Sequence, residues 1–423
     1  MRVYKPSGIK WLGEIPQSWE IKKCKFFFII QNTIVGDLWN KTKLLSLTLN
    51  GVVERDINNP EGKFPSDFST YQLVKRGNLV FCLFDVEETP RAIGLSQIDG
   101  MITSAYTVIK VVNQNERFLA YLFISLDNGK NLSFLYRGLR KTISKEDLLN
   151  LKIPLPPLQE QKEIAEFLDK KCEKIQNYIN KKQKLITLLQ EKKQALINEA
   201  VTKGLNPNIE SKNSGIEYLG LIPHHWEIKK LKYVGKVVLG KMLCNEHQKG
   251  YSHCYYLKSK NLQWLNVEVS QIEKMWFSEY EKSLYRIKKD DLLVSEGGEV
   301  GKTCIWNNEL AECYIQNSVH KITLNKFNNA KFFLYLFFTY GKLGVFDSVV
   351  SRVSIAHLVL EKLVNVDMVV PPLQEQKQIA NFLDEKCEKI NSAIEKTKRQ
   401  IELIKEYKNT LINEAVCGRI RVN

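Results

Sequence analysis

Two stretches of the chain repeat the same long pattern of apolar positions. Residues 156–201 place apolar side chains at alternating steps of three and four residues, with no glycine or proline after the opening proline pair. Such steps average 3.5 residues and form one stripe along a helix, which is typical of a coiled coil. The stripe consists of Ala165, Leu168, Cys172, Ile175, Ile179, Lys182, Ile186, Leu189, Lys193, Leu196 and Ala200. Residues 371–416 keep the stripe, which predicts two long helices that each need a partner helix.

These helical stretches belong to an internal duplication. At an offset of 215 residues, 29 of the 46 positions in 156–201 and 371–416 are identical, and both copies begin Pro-Pro-Leu-Gln-Glu-Gln-Lys. A second pair, residues 7–23 and 214–230, repeats at an offset of 207. The sequence therefore predicts two similar halves, each a module followed by a helix that is roughly 60 Å long at about 1.5 Å per residue.

Each module combines short strand-like runs with one aromatic-rich helix, so the predicted fold class is mixed α/β (α+β). Apolar runs bounded by turn residues predict strands, and Asp-Gly or Asn-Asn pairs between such runs predict hairpin turns. The predicted features are strands at 78–85 and 291–295, hairpin turns at Asp99–Gly100 and Asn307–Asn308, and helices near 116–126 and 329–340. A polar, turn-rich stretch at 206–213 predicts the junction between the halves. The predicted domains are residues 1–155, 156–204, 205–370 and 371–423.

The net charge of +15 indicates a polyanionic partner or an acidic membrane surface, and a basic partner is not expected. The two helical repeats together carry only +2 of this charge, so the remaining +13 lies mostly on the modules. An alternative explanation is that lysine-rich coding raises the charge everywhere, but the helices would then be equally basic. The modules are therefore the predicted site of polyanion binding.

The hydrophobic runs of the chain are too short to span a bilayer, which takes about 20 apolar residues. The N-terminal residues Met1–Gly8 lack the apolar core of a secretory signal. We therefore expect a cytoplasmic protein that does not enter a membrane and whose nine cysteines stay reduced.

The sequence lacks the spacing of a nucleotide or methyl-donor site. Residues 295–303 approach a phosphate-loop pattern, but three residues rather than four separate the first glycine from Gly301-Lys302-Thr303. A glycine turn that joins two strands is the better interpretation. Residues 370–373 lack the amide and the aromatic ring of an amino-methyltransferase motif, and no adenosylmethionine glycine loop follows a strand elsewhere.

Cysteines and histidines do not form a recognisable metal or catalytic pattern. The chain contains no Cys-x-x-Cys and no His-x-x-x-His. Cys172 and Cys387 fall on the heptad stripes and are interpreted as core thiols, whereas His253 and His320 are interpreted as hydrogen-bonding residues rather than ligands or general bases. No Ser/His/Asp, Cys/His or paired-carboxylate pattern is present, so we expect catalysis to lie in another chain.

The candidate nucleic-acid-binding residues are basic, amide and hydroxyl side chains that lie among aromatic residues of the modules. Arginine and lysine pair with guanine, asparagine and glutamine pair with adenine, and other lysines contact phosphate. Any single residue of these types is more often an ordinary solvated surface residue than a DNA contact. The candidates are Arg91, Thr103, Ser104, Arg137, Arg140 and Lys141 in the first module, and Lys258, Lys260, Asn261, Lys302, Gln316, Asn317 and Arg352 in the second.

This layout resembles the specificity subunit of type I restriction-modification systems. The resemblance rests on residues 153–161 and 370–376, where Pro-Pro-Leu-Gln-Glu-Gln closes each module, and on Trp11–Pro16, which Tyr218–Pro223 repeats. It covers the whole chain, and two such motifs at corresponding positions before heptad helices make it specific. The first module departs from the second in lacking its glycine-rich turn.

The resemblance implies that two target recognition domains each read one half of a split, asymmetric duplex DNA sequence. It also implies that the two long helices pack as an antiparallel coiled coil that separates the modules in a pseudo-two-fold repeat. The implied partners are two modification subunits, which bring S-adenosylmethionine and the methylating site, and restriction subunits, which bring ATP, Mg²⁺ and cleavage. This chain is then expected to hold no cofactor of its own.

Two other interpretations stay open on the residues alone. A coiled-coil scaffold or RNA-binding protein combines such helices with basic modules but lacks sequence-specific DNA readout. A chain that itself methylates is opposed by the missing cofactor motifs. Retention on specific duplex sequences separates a specificity subunit from a scaffold, because uniform affinity that is lost in salt indicates phosphate contacts alone.

Overall fold

The computed structural model describes residues 2–56, 67–247, 249–349 and 357–422. The chain forms two compact units. The first unit consists of Met1–Gln183 with Lys398–Asn423, and the second consists of Lys184–Thr397. Both boundaries between the units fall inside the long helices, so each unit contains one end of each helix.

The first unit is built on a four-stranded antiparallel sheet. Its elements are β1 (Tyr4–Pro6), β2 (Glu14–Pro16), β3 (Glu20–Lys23), β4 (Phe28–Gln31), β5 (Leu45–Thr48), β6 (Gly51–Glu54), β7 (Gln72–Val74), β8 (Leu79–Phe81), β9 (Ile93–Leu95), β10 (Gly100–Ile102), β11 (Thr107–Val111), α1 (Glu116–Asn128), α2 (Lys145–Asn150), β12 (Lys152–Leu155) and the start of α3 (Leu158–Lys203). The sheet order is β4-β11-β8-β9. Strand pairs β1-β2, β3-β12, β5-β6 and β7-β10 complete the unit.

The second unit repeats this plan with an added sheet. Its elements are β13 (Ser211–Asn213), β14 (Leu221–Pro223), β15 (Glu227–Lys230), α4 (Leu231–Val234), β16 (Gly235–Leu239), β17 (Ser252–Leu257), β18 (Leu262–Gln263), β19 (Asn266–Val267), β20 (Glu273–Phe277), α5 (Glu279–Tyr285), β21 (Leu292–Ser295), β22 (Thr303–Ile305), β23 (Tyr314–Ile315), β24 (Val319–Leu324), α6 (Ala330–Lys342), α7 (Val345–Val349), α8 (Leu360–Leu363), β25 (Asp367–Val370) and the start of α9 (Leu373–Val416). The main sheet, β16-β24-β21-β22, matches that of the first unit. The added sheet has the order β20-β17-β23, and its β17-β23 pair is parallel.

The predicted module helices and strands are confirmed, but the two hairpin turns are wrong. α1 and α6 lie where helices were expected, and β8 and β21 fall inside the predicted strand runs. Asp99 precedes β10 and Gly100 is its first residue, but β10 pairs with β7 rather than with β9. Asn307–Asn308 follows β22, and the next strand, β23, pairs with β17. In both places the strand after the turn pairs with a strand other than the one before it, and a local turn signal carries no information about strand pairing. The glycine-rich stretch 295–303 does join two paired strands, β21 and β22.

In each unit, one end of α3 packs against the opposite end of α9. In the first unit, Ala165 and Leu168 near the start of α3 share a hydrophobic core with Ala415 near the end of α9. In the second unit, Ala200 near the end of α3 shares a core with Ala380 near the start of α9. All five belong to the heptad stripes. The prediction that each helix is the partner of the other is therefore confirmed, and the pair is antiparallel.

The repeated Pro-Pro-Leu-Gln-Glu-Gln motif fixes the start of α3 to its module. Gln161 is fully buried, and its side-chain oxygen accepts a hydrogen bond from the Asn115 backbone N–H at 2.9 Å. Its amide nitrogen donates to the Pro156 carbonyl at 2.9 Å and to Gln114 Oε1 at 2.6 Å. The Asn115 side chain in turn caps α1 by accepting from the Phe118 N–H at 2.9 Å.

The second copy of the motif makes the same joint. Gln376 is fully buried and accepts from the Asn329 N–H at 2.8 Å. Its amide nitrogen donates to the Pro371 carbonyl at 2.8 Å and to Asn328 Oδ1 at 3.3 Å. The Asn329 side chain caps α6 through the Phe332 N–H. The motif therefore encodes a buried polar joint between each long helix and its module.

Candidate nucleic-acid interface

A short hairpin at residues 137–142 carries three of the candidate basic residues in the first unit. The backbones of Arg137 and Thr142 exchange two hydrogen bonds, at 2.8 and 3.0 Å. Lys141 adopts a left-handed backbone conformation at φ +42° within the turn. Leu139 lies between the basic residues and is fully exposed to solvent. The hairpin therefore presents positive charge and one apolar side chain together.

Arg140 is exposed yet held in one orientation. Its Nε and Nη2 donate to the two carboxylate oxygens of Asp85 at 3.2 and 2.6 Å, and its side chain is 69% exposed. Its guanidinium carbon lies 5.5 Å from the ring centroid of Phe84, which stacks on Tyr106 with centroids 6.0 Å apart. The Arg140 carbonyl also accepts from the Asp85 N–H at 2.9 Å. The hydrogen bonds from Arg140 hold the pKa of Asp85 below its usual value.

The other two basic residues of the hairpin are also paired. Arg137 Nη2 donates to Asp147 at 2.6 Å, and Lys141 forms an ion pair with Glu87. Arg137 remains 68% exposed and Lys141 46% exposed. Exposed pairs of this kind contribute only about 0 to 1 kcal/mol, so breaking either pair costs little free energy.

Thr103 and Ser104 lie beside the ring stack. The Gln72 side-chain amide donates to the carbonyl of Thr103 at 3.1 Å and to that of Tyr106 at 2.7 Å. Ser104 is exposed. Because Tyr106 belongs to the stack beneath Arg140, the structure brings these two candidates near the hairpin.

Arg91 is separate from this group. Its Nη1 donates to Asn128 at 2.8 Å and lies 3.6 Å from the Asp127 carboxylate, at the end of α1. The Arg91 side chain is only 16% exposed. The contacts indicate that Arg91 closes the end of the helix rather than facing a ligand.

In the second unit, one carboxylate holds two candidate lysines. Lys258 and Lys260 donate to Glu273 at 2.6 and 3.1 Å, and the Tyr256 hydroxyl donates to it at 2.9 Å. The hydrogen bonds from Lys258, Lys260 and Tyr256, in that order, lower the pKa of Glu273 to about 2. The carboxylate is therefore charged at neutral pH and partly neutralises both lysines.

Gln316 and Asn317 adjoin these lysines. The Ser259 N–H, between Lys258 and Lys260, donates to the Ser318 hydroxyl at 3.0 Å. Gln316 accepts from the Ser318 N–H at 3.1 Å and donates its amide to the Asn317 side chain. Both amide side chains are half-buried. The structure therefore groups four of the second unit's candidates at one place.

Asn261 does not belong to this surface. It is 3% exposed, and its amide nitrogen donates to the Glu268 carbonyl at 3.1 Å while its oxygen accepts from the Lys258 N–H at 3.1 Å. A side chain buried to this extent meets no base edge without rearrangement. The structure thus corrects the view of Asn261 as a surface residue, because it closes the turn inside the fold.

Lys302 and Arg352 are the remaining candidates of the second unit. Lys302 forms an ion pair with Glu299 at 3.0 Å and is 20% exposed. Arg352 lies outside the described residues.

The histidine, cysteine and acidic side chains of the described residues do not gather into a metal site. Within those residues, no group of three or more histidine, cysteine, aspartate or glutamate side chains is placed to hold a metal ion. His320 is buried and donates from Nε2 to the Leu358 carbonyl at 2.7 Å. No helix within the described ranges has the length and apolarity that a membrane span requires.

The family model for the type I restriction modification DNA specificity domain matches residues 101–189 and 223–403, which is more than half of the chain. The chain belongs to this family. As a specificity subunit of a type I restriction-modification system, it serves DNA recognition and is not the catalytic subunit.

Curated relatives and solved structures agree with this assignment. The MjaX type I restriction enzyme specificity subunit of Methanocaldococcus jannaschii is 26% identical, over all of this chain and 99% of its own length. The MjaVIII specificity subunit of the same organism is 27% identical over 76% of this chain and 75% of its own. A chain from a structure of type I R-M complex assembly and conformational transition has a TM-score of 0.73 at 15% identity, covering 96% of this chain and 99% of that one. The HsdS subunit from Thermoanaerobacter tengcongensis has a TM-score of 0.53 at 16% identity, covering 96% and 98%. At these identities, both structures support the fold.

The specificity subunit also presents rings that the sequence interpretation did not assign to DNA binding. On β17 and β20, His253 stacks on Trp276 with ring centroids 4.7 Å apart, and the Lys274 ammonium lies 4.4 Å from the Tyr255 ring centroid. The sequence signal is the order Ser252-His253-Cys254-Tyr255, because alternate residues of a strand share one face and this places His253 and Tyr255 together. Exposed rings beside lysines are the side chains on which the bases of single-stranded nucleic acids stack.

Proposed function

We propose that each unit of this specificity subunit reads one part of a split, asymmetric duplex DNA target. One observation carries the proposal: the two units share a frame but present different side chains. The first unit offers Arg140 fixed by Asp85, whereas the second offers Lys258 and Lys260 on Glu273 beside two amides. Different donor and acceptor sets recognise different bases, so the two half-sites differ.

The proposed contact residues are the candidates that stay exposed or half-buried near these groups. They are Thr103, Ser104, Arg137, Arg140, Lys141, Lys258, Lys260, Gln316 and Asn317. Lys302 is proposed as a phosphate contact, and Arg352 stays a prediction. Arg91 and Asn261 are left out because their side chains are committed to the fold.

The family implies that this subunit associates with DNA and with modification and restriction subunits. We propose two modification subunits, because the duplicated helices α3 and α9 offer the same sequence twice. S-adenosylmethionine, ATP and Mg²⁺ then belong to these partners, and the complex works in the cytoplasm. We also propose the domain division 1–155, 156–204, 205–370 and 371–423, which the starts of α3 and α9 support.

The test is to co-express the chain with its modification subunit and to map methylated adenines across a genome at single-base resolution. A split motif with a fixed gap is expected. A stable complex that methylates no adenine would contradict the proposal, and so would binding that is equal on all duplexes and lost in salt. Binding of that second kind would favour the scaffold interpretation.

A further inference from the structure

We propose that Arg140 reads a guanine of the target and that Asp85 is a positioning residue that holds its guanidinium in the reading orientation. This rests on the proposed function, since it requires that the first unit contacts duplex DNA. It goes further by assigning one base to one side chain and a role to one carboxylate.

The donors left on Arg140 match the acceptors of guanine. An arginine side chain carries five N–H donors in a planar fork. Nε and one N–H of Nη2 face Asp85 at 3.2 and 2.6 Å, so the edge formed by Nη1 and the other N–H of Nη2 stays available. Two parallel donors on that edge match O6 and N7 of guanine in the major groove. A lysine has no planar pair of this kind.

The orientation of this edge is fixed before any ligand arrives. The guanidinium lies 5.5 Å from the Phe84 ring centroid, and Phe84 stacks on Tyr106 with an angle of 18° between the rings. The Asp85 carboxylate accepts hydrogen bonds from one edge of the same guanidinium, and the Asp85 backbone N–H donates to the Arg140 carbonyl at 2.9 Å. A side chain ordered in advance loses less conformational entropy on binding, which favours discrimination between bases.

The 137–142 hairpin gives this side chain access to a groove. A two-stranded ribbon fits the major groove of B-form DNA. Leu139, at the tip beside Arg140, is fully exposed, and its burial against DNA removes apolar surface from water. Asp85 and Lys141 both adopt left-handed backbone conformations, at φ +48° and +42°. Non-glycine residues keep such conformations where the surrounding structure imposes them, and such positions cluster at ligand-binding sites.

The experiment uses the full chain in complex with its modification subunit. Binding is measured on duplexes that carry the mapped target, with each base pair replaced in turn. The Arg140→Lys variant is expected to lose roughly ten- to hundred-fold of discrimination at one G·C position and to keep the discrimination elsewhere. Replacing that guanine by 7-deazaguanine, which lacks the N7 acceptor, should weaken wild-type binding but add nothing to the loss in Arg140→Lys.

The Asp85→Asn variant tests the positioning role. Asparagine tolerates the left-handed conformation at this position, so the fold is retained. Removing one negative charge should tighten binding to non-target duplex, while discrimination falls at the same G·C position that Arg140→Lys affects. If the Asp85 carboxylate had only a structural role, tighter non-target binding would not be accompanied by lower discrimination at that one position. Lys43→Gln is the control, because Lys43 is exposed in the same unit and its ammonium pairs, among the described residues, only with Glu54 at 2.8 Å.

Each outcome decides the matter. An equal loss for Arg140→Lys at every position would make Arg140 a phosphate contact, and no loss would place it outside the interface; either result overturns the proposal. If Asp85→Asn leaves discrimination unchanged, its positioning role is refuted. Failure of the proposed function is distinguishable, because the wild-type complex would then show no preferred position on any duplex.

Discussion

Replacing Gln161 by methionine should destabilise the first unit strongly. Methionine fills a similar volume, so no cavity opens, but the three hydrogen bonds of the glutamine are lost. The Asn115 N–H and the Pro156 carbonyl are then left buried without partners. Each unsatisfied group costs about 1–3 kcal/mol, so the free energy of unfolding falls by about 4 kcal/mol. For a unit of roughly 200 residues, this lowers the melting temperature by about 8–16 °C.

The assay is thermal unfolding by circular dichroism, with hydrogen exchange to show where protection is lost. Faster exchange is expected at the start of α1, which Asn115 caps. Gln159→Met is the matched control, because Gln159 is exposed two residues earlier and its side-chain amide donates a hydrogen bond to Glu163 at 3.0 Å. It should change stability by less than about 0.5 kcal/mol. Gln376→Met should produce a smaller loss in the second unit, because the Pro371 carbonyl is buried but Asn329 is only half-buried.

A loss for Gln161→Met no larger than that for Gln159→Met would refute this reasoning. The buried joint would then contribute nothing beyond an exposed hydrogen bond.

Three further predictions concern charge, pH and thiols. Glu273→Gln releases Lys258 and Lys260 from the carboxylate, so the affinity for non-target DNA should rise. The slope of log affinity against log salt concentration should steepen by up to about 1.8, and an unchanged slope in filter binding would contradict this. Burial lowers the pKa of His320 in the folded protein below its unfolded value of about 6.5. The stability that the neutral imidazole contributes is therefore present above about pH 6.5 and is lost as the pH falls through the lower pKa of the folded state. His320→Gln should flatten this dependence of the melting temperature on pH. Burial raises the pKa of Cys313 to about 12 and those of Cys24 and Cys304 further, so iodoacetamide should spare all three in the native chain at pH 8; labelling detected there by mass spectrometry would show that they are accessible.

Much of the architecture was predictable because its signals are local or repeated. The heptad stripes identified both long helices, since an apolar side chain at every 3.5 residues lies on one helical face whatever its partner. The duplication then identified that partner, and buried Ala165 and Ala380 confirm the seam. The low charge of the helices assigned the positive field to the modules. The resemblance supplied the antiparallel arrangement that the cores of both units contain.

The polar site was predictable only in part, because its contacts join residues far apart in the chain. Arg140 was a candidate by type, but its pairing with Asp85 joins positions 55 residues apart. Asn261 was likewise a candidate by residue type, yet folding buries it. No local sequence pattern separates a buried asparagine from an exposed one.

Two features follow from the order of residues alone: two modules of similar fold, each followed by one copy of a repeated helix, and a positive charge on the modules. Periodicity and composition suffice for these, since both act along the chain. Tertiary structure alone decided which strands pair, as β10 with β7, and which cations are fixed by carboxylates and rings. It also gave Gln161 its role, because a buried amide acts only through the backbone groups that folding brings to it.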